Sequence, residues 1–125
     1  PTKHAILNKD KGLLVFNKIE KTDIGQSLII ENGLVIAVEA VEGTDRMIKR
    51  SLSLKKEKKA GVLVKVIKPM QDKRIDRPVI GINTIKEAKI AGLDGIALES
   101  NEIIILNYND VILYADKEGL FVEGV

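Results

Sequence analysis

Residues 61–81 read GVLVKVIKPMQDKRIDRPVIG, and the fold is read outward from this stretch. Its first third, Gly61 to Ile67, is an apolar run rich in valine and isoleucine, the composition of a strand buried within a sheet. Pro69 has no N–H to give a ladder, so the strand is expected to end at Lys68–Pro69. Met70 to Arg77 changes character: it carries Gln71, Asp72, Lys73, Arg74, Asp76 and Arg77, and Pro78 biases Arg77 toward an extended conformation. In α/β domains ligands gather beyond the carboxyl ends of the strands. A charged loop that leaves a buried strand, with a proline at each end, is therefore the first place to look for chemistry. A solvated loop with internal ion pairs is the competing reading.

Upstream, residues 3–19 are expected to be helical, with an imperfect apolar stripe of Ile6, Leu7, Leu13, Leu14, Phe16 and Ile19 that Gly12 weakens. Residues 20–26 are a connector. Ser27–Ile30 and Leu34–Ala40 read as strands, and Asn32-Gly33 between them is a strong hairpin signal. Thr44 or Asp45 is the expected cap of a helix whose buried face holds Met47, Ile48, Ser51 and Leu52. Downstream, Thr84 is expected to cap a helix over Ile85–Ala91, closed by Gly92. Strands at Gly95–Leu98 and Ile103–Leu106 are expected to pair as a second hairpin. A helix over Asn107–Asp116 ends at Gly119, and Leu120–Val122 is a last strand. The order is α-β-β-α-β-(charged loop)-α-β-β-α-β. It predicts an α/β layered fold, a mixed β-sheet with flanking helices, as a single domain over residues 1–125.

Composition narrows the function classes. The chain has 125 residues, enough for one core. Aromatic residues make up only 3%, so the core is aliphatic and stacking platforms for single-stranded nucleic acid are not expected. A net charge of +2 does not suggest nucleic-acid binding. There is no cysteine, which excludes disulfides and zinc–thiolate sites, and the single histidine, His4, excludes a multi-histidine metal site. No apolar run has transmembrane length and no signal peptide is evident, so a cytoplasmic location is the default expectation. The start at Pro1 suits a fragment or a processed product. Seven basic residues (Arg46, Lys49, Arg50, Lys55, Lys56, Lys58 and Lys59) stand against one acid, Glu57. They suit either a solvated helix end or contact with phosphate or an anionic membrane.

Three polar clusters could carry chemistry: Asp23 to Ser27, Glu42 to Asp45, and Gln71 to Pro78. All are rich in oxygen donors, which suits a hard cation such as magnesium, while helix N-termini and arginines suit phosphate. Phosphoryl chemistry needs this combination of cationic charge and carboxylates. Asp72 and Asp76 would lie about 5–6 Å apart on a helical turn and roughly 13 Å apart in an extended loop, and the sequence leaves both open. Each motif also has a purely structural reading, such as a capped helix start for Gly43-Thr44-Asp45. Tyr108 and Tyr114 read as packing residues.

Taken in order, the motifs resemble those of the LpxI-type UDP-2,3-diacylglucosamine pyrophosphatases over about residues 20 to 125. They are Asp23-Ile24-Gly25-Gln26, Val38-Glu39-Ala40-x-Glu42-Gly43-Thr44-Asp45, and Lys68-Pro69-x-Gln71-Asp72-x-Arg74-x-Asp76-x-Pro78-x-Ile80-Gly81. Ala91-Gly92-Leu93-x-Gly95-Ile96 and the ending Gly119-Leu120-Phe121-Val122-x-Gly124-Val125 complete the set. The resemblance implies the C-terminal catalytic half of a two-domain enzyme, with residues 1–20 as a linker helix and the missing N-terminal domain as a partner. It implies hydrolysis of the pyrophosphate bond of UDP-2,3-diacylglucosamine, by water attack on the α-phosphorus, to UMP and 2,3-diacylglucosamine 1-phosphate. This is a cytoplasmic step of lipid A biosynthesis in Gram-negative bacteria. The substrate is a lipid-linked nucleotide sugar and the cofactor Mg2+ or another divalent cation. Peripheral contact with the inner membrane and a homodimer are further expectations; nucleic acid is not.

Carried onto this chain, the resemblance makes Asp76 the essential carboxylate, with Asp72 beside it in catalysis and Asp76, Asp72 and Asp45 as metal ligands. Lys68, Gln71, Arg74, Thr44 and Gln26 become substrate-binding residues. Asp76 lies between Arg74 and Arg77, whose charges favour its ionised form and so a ligand or base role over that of a general acid. The fragment alone is expected to be inactive. The alternative is a noncatalytic module that binds a phosphorylated ligand or a protein partner, and a third reading is a purely structural domain.

Overall fold

The apolar run that opens the central stretch forms strand β3, Val62–Lys65, with every residue buried. In the computed structural model the described residues are 1–19, 27–66, 68–69, 75–76, 79–99 and 104–125, of which 19, 68–69, 75–76 and 104 enter as backbone alone. Strand β1, Ser27–Glu31, runs antiparallel to β3 on one side, and β2, Leu34–Val38, lies antiparallel outside it. On the other side β7, Gly95–Leu98, runs parallel to β3, and β9, Phe121–Gly124, is parallel to β7. The five-stranded order is β2-β1-β3-β7-β9, which puts Val62–Lys65 of the apolar run at the centre of a mixed sheet, as predicted.

Both faces of this sheet are covered, which is why its inner strands read as continuous apolar runs rather than alternating ones. Helix α1, Lys3–Ile19, packs on one face: Ala5 and Phe16 meet Leu28, Ile30, Val62, Val64 and Ala97. Gly12 weakens the helix by propensity but serves this packing. A Cβ there would stand 2.6 Å from Val64 Cγ2, so glycine lets α1 approach the sheet closely. On the opposite face lie α2 (Thr44–Ser51), α3 (Ile82–Ala91) and α4 (Tyr108–Glu118). Met47, Ile48, Ile85, Ala88, Val111 and Ala115 from these helices bury Ile29, Leu63 and Ile96. Among the described residues, no helix is long and apolar enough to cross a membrane.

Several local expectations hold and others need correction. Asn32 and Gly33 both take positive φ, 51° and 76°, and turn β1 into β2. Gly43, not Thr44 or Asp45, is the N-cap of α2, so both predicted caps lie inside the helix. Leu52 is 49% exposed because the chain tightens into a 3-10 turn over Leu52–Leu54 and carries it off the buried stripe of Thr44, Met47, Ile48 and Ser51. Helix α3 starts at Ile82, three residues before the expected Ile85, with Gly81 as N-cap. Thr84 acts from the third helical position, its Oγ1 accepting the Gly81 N–H at 3.5 Å. The second hairpin does not form as expected: β8, Ile104–Ile105, pairs in parallel with β6, Val79–Ile80, rather than with β7. Without an Asn-Gly type turn, nothing local held Gly95–Leu98 and Ile103–Leu106 together, and a separate partner was available. Tyr108 is 59% exposed rather than packed, whereas Tyr114 lies against the core with Lys86 Nζ 6.0 Å from its ring centroid.

Candidate active site

Strand direction brings polar groups together at one end of β3. Its last residue, Lys65, faces Ser27, the first residue of antiparallel β1. The chain leaving β2 returns to the same edge, where the Glu39 N–H donates to the Ser27 carbonyl at 2.9 Å. Leu63 belongs to the core beneath α2, α3 and α4, and alternation along the strand turns Lys65 to that same face. Helix α2 then delivers Thr44 into the corner.

The result is a buried hydrogen-bonded chain. Lys65 Nζ donates to Thr44 Oγ1 at 2.8 Å and, more weakly, to the Val79 carbonyl at 3.5 Å. Thr44 Oγ1 donates to Glu39 Oε2 at 3.0 Å, and Ser27 Oγ donates to the same carboxylate oxygen while lying 3.3 Å from Thr44 Oγ1. Ser27, Lys65 and Thr44 are buried, with 0%, 5% and 9% exposure. Asp45, half-buried, turns the other way: Oδ1 accepts the Thr84 hydroxyl at 2.8 Å and Oδ2 the Asn83 amide at 3.1 Å. It thereby ties the start of α2 to the start of α3.

Glu42 of the second polar cluster is engaged outside this corner. Both of its oxygens accept from Arg50 Nε at 3.0 Å, and Oε1 accepts from Nη2 at 2.6 Å. The Arg50 hydrogen bonds hold the Glu42 carboxyl below its usual range and push the guanidinium further up. Arg50 Nη2 also donates to the Val38 carbonyl at 2.9 Å, which fastens α2 to the end of β2. The basic run is therefore not wholly a surface feature: Arg50 pairs with Glu42, Lys55 with buried Glu31, and Lys59 Nζ reaches the Gly119 carbonyl at 3.4 Å.

Of the sequence-predicted site residues, Thr44 and Asp45 stand at the start of α2 beside this corner. Lys68 and Asp76 are opposite each other in a short antiparallel pair formed by β4 (Lys68–Pro69) and β5 (Ile75–Asp76). Lys68–Pro69 is thus a two-residue strand of its own and not simply the end of β3; proline is tolerated at such a ladder edge. Gln26, Gln71, Asp72 and Arg74 lie outside the described residues. The first and second clusters meet through Ser27 and Thr44. Sequence reasoning missed Lys65, although a lysine inside GVLVKVI was the available signal. It quoted Glu39 without giving it a role, and it missed the Asp45 partners Asn83 and Thr84.

A corner with a buried ammonium, two hydroxyls, the Glu39 carboxylate and a helix N-terminus is suited to holding an anionic group and a water. A family model described as the LpxI C-terminal domain matches residues 1–123. The UDP-2,3-diacylglucosamine pyrophosphatase LpxI of Caulobacter vibrioides is 43% identical over 131 aligned residues, which take in all of this chain and 47% of that protein. The chain thus spans about half the length of this curated relative. With the match running from Pro1, ahead of α1, nearly to the end of β9, the chain belongs to the LpxI C-terminal domain family.

Proposed function

We propose that this chain forms the C-terminal half of an enzyme that hydrolyses the pyrophosphate bond of UDP-2,3-diacylglucosamine, releasing UMP and 2,3-diacylglucosamine 1-phosphate for lipid A biosynthesis. The observation that carries the proposal is the 43% identity, along the whole chain, to a protein named for that pyrophosphatase. The polar corner at the end of β3 supports it, because phosphoryl transfer relies on positioning and charge stabilisation rather than on a protein nucleophile.

In this reading Asp76, with Asp72, orients the attacking water and accepts its proton. Lys68, Arg74 and Gln71 hold the pyrophosphate and sugar, joined by Thr44 and Gln26. Mg2+ or another hard divalent cation is part of the proposal. The donors at the corner are oxygens and the chain has no cysteine, which fits such a cation in kind. Among the described residues, no group of three or more His, Cys, Asp or Glu side chains could hold a metal. The proposed ligand set therefore joins Asp45 to Asp76 and Asp72. Such a cation supplies neutralisation of charge on the pyrophosphate oxygens. The enzyme acts in the cytoplasm, peripheral to the inner membrane, together with the remaining half of the polypeptide. Residues 1–125 alone are not expected to turn over substrate.

The test is direct. The intact polypeptide is incubated with UDP-2,3-diacylglucosamine and Mg2+, and products are separated by chromatography. Equal amounts of UMP and lipid 1-phosphate are expected, with turnover lost on chelation and restored by added Mg2+. Absence of UMP at any divalent cation concentration would sink the proposal.

A further inference from the structure

Burying a lysine ammonium is expensive unless hydrogen bonds compensate it. Lys65 is 5% exposed and sits at the end of the central strand, where a valine or isoleucine would have continued the core pattern. Its two described acceptors come from different elements: Thr44 Oγ1 at the start of α2, and the carbonyl of Val79 in β6. The charged stretch from Lys68 to Arg77 lies in sequence between Lys65 and Val79. The ammonium therefore joins β3, the start of β6 and the start of α2.

The direction of the hydrogen bonds gives Lys65 a second role. Because an ammonium can only donate, its bond to Thr44 Oγ1 takes up an acceptor position of the hydroxyl. The single Thr44 proton is then directed to Glu39 Oε2, where the Ser27 hydroxyl also donates. Lys65 thus sets the rotamer of Thr44 and the orientation of its O–H, and through it the arrangement of Glu39. Without the ammonium, Thr44 could turn its hydroxyl toward Ser27, 3.3 Å away.

We infer that Lys65 is a positioning residue of this site: it aligns the Thr44 hydroxyl and the Glu39 carboxylate and ties the start of β6 at Val79 to the start of α2. The kinetic part of this inference rests on the hydrolase reading above; the geometric part does not.

Two measurements on the intact polypeptide test it. The first is the Thr44 side-chain rotamer from NMR three-bond couplings to its methyl carbon, in wild type and in Lys65→Met. Methionine keeps the length and apolar stem while removing the ammonium. One rotamer is expected in wild type and averaging in the variant, with the backbone spectrum otherwise retained; an unchanged rotamer would overturn the inference. Should Lys65→Met fail to fold, Lys65→Arg, which keeps the donors, is measured in its place, and a single retained Thr44 rotamer is expected; averaging there would overturn it. The second is a double-mutant cycle of Lys65→Met with Thr44→Val on UDP-2,3-diacylglucosamine hydrolysis. Misplacement of a positioning group is felt in kcat, by about 10–100-fold, with KM changed by less than about threefold. If Lys65 acts through Thr44, the double variant is expected to be no slower than the slower single one. Multiplicative losses, or a loss explained wholly by unfolding, would contradict the inference. If wild type releases no UMP, the hydrolase reading fails, and the rotamer measurement decides the role of Lys65 by itself.

Discussion

Replacing Lys55 by methionine perturbs a buried ion pair at the end of the sheet opposite the site. Lys55 Nζ lies 2.7 Å from Glu31 Oε2 and also donates to the Ala60 carbonyl, and the two side chains are 2% and 3% exposed. The second Glu31 oxygen accepts the Lys56 N–H at 2.8 Å. These contacts fasten the end of β1 to the segment that leads into β3. Burial works to raise the Glu31 pKa, but the hydrogen bonds from Lys55 and from the Lys56 amide outweigh it. The carboxyl titrates below its ordinary 4.5. Methionine removes the compensating charge and leaves the carboxylate buried. Breaking a buried pair from one side costs about 3–5 kcal/mol. A chain of this size loses about 4 °C per kcal/mol, so Tm near neutral pH is expected to fall by about 12–20 °C.

The pH dependence follows from the direction of the shift. Glu31 has a lower pKa folded than unfolded, so its contribution is full above about 4.5 and is lost as pH falls through the folded value. In Lys55→Met the buried carboxylate is a burden that protonation relieves. The stability gap between wild type and variant is therefore expected to narrow as pH falls, starting above 4.5, where burial makes the unpaired carboxyl of the variant take up its proton early, and continuing below it as the wild-type pair is lost. The double variant Glu31→Gln/Lys55→Met should recover part of the loss, since no lone charge remains. Thermal melts by circular dichroism across this pH range are the assay. A Tm drop under about 4 °C at neutral pH, or a gap that widens toward acid, would refute the reasoning.

Other changes separate stability from chemistry. Asp76→Asn in the intact polypeptide is expected to lower kcat by about 10²–10⁴-fold while the melting temperature stays within a few degrees; steady-state kinetics and a melt on the same sample check both. Gly92 closes α3 with φ +76°, and a Cβ there would collide with the Lys58 carbonyl oxygen. Gly92→Ala is therefore expected to destabilise by more than the roughly 1–2 kcal/mol of left-handed strain alone, read by urea denaturation. Thr84→Val removes the hydroxyl that donates to Asp45 Oδ1 at 2.8 Å, and a loss of about 1–3 kcal/mol is expected in the same assay.

Most of the fold was legible where local chemistry and burial agree. The run Gly61–Ile67 had the composition of a doubly covered strand, and Asn32-Gly33 had the turn residues of a hairpin. Gly92 and Gly119 both take the left-handed conformation at the helix ends where they were expected. Errors arose where tertiary partners decide. Two adjacent apolar runs, Gly95–Leu98 and Ile103–Leu106, look like a hairpin in sequence, yet β8 pairs with β6 across a long separation. The N-terminus of α2 offered two good capping side chains, but Thr44 faces Lys65 and Glu39 while Asp45 faces Thr84, leaving Gly43 as the cap. The site was legible in part. Thr44 and Asp45 stood out as polar groups at a helix start. Lys65 did not, because one lysine in an apolar strand reveals its role only when the hydroxyl and carbonyl that satisfy it are in place. Asn83 and Glu39 were equally silent, being ordinary polar residues until α2 and α3 are packed together.

We propose water attack at the uridine-bearing phosphorus of the substrate, in a site built on the end of β3. Turnover in 18O-labelled water by the intact polypeptide tests it most directly, with mass spectrometry of both products. One labelled oxygen in UMP and none in 2,3-diacylglucosamine 1-phosphate is the expected result, with the labelled product lost in Asp76→Asn. Label in the lipid phosphate, or undiminished labelling of UMP by Asp76→Asn, would contradict the account.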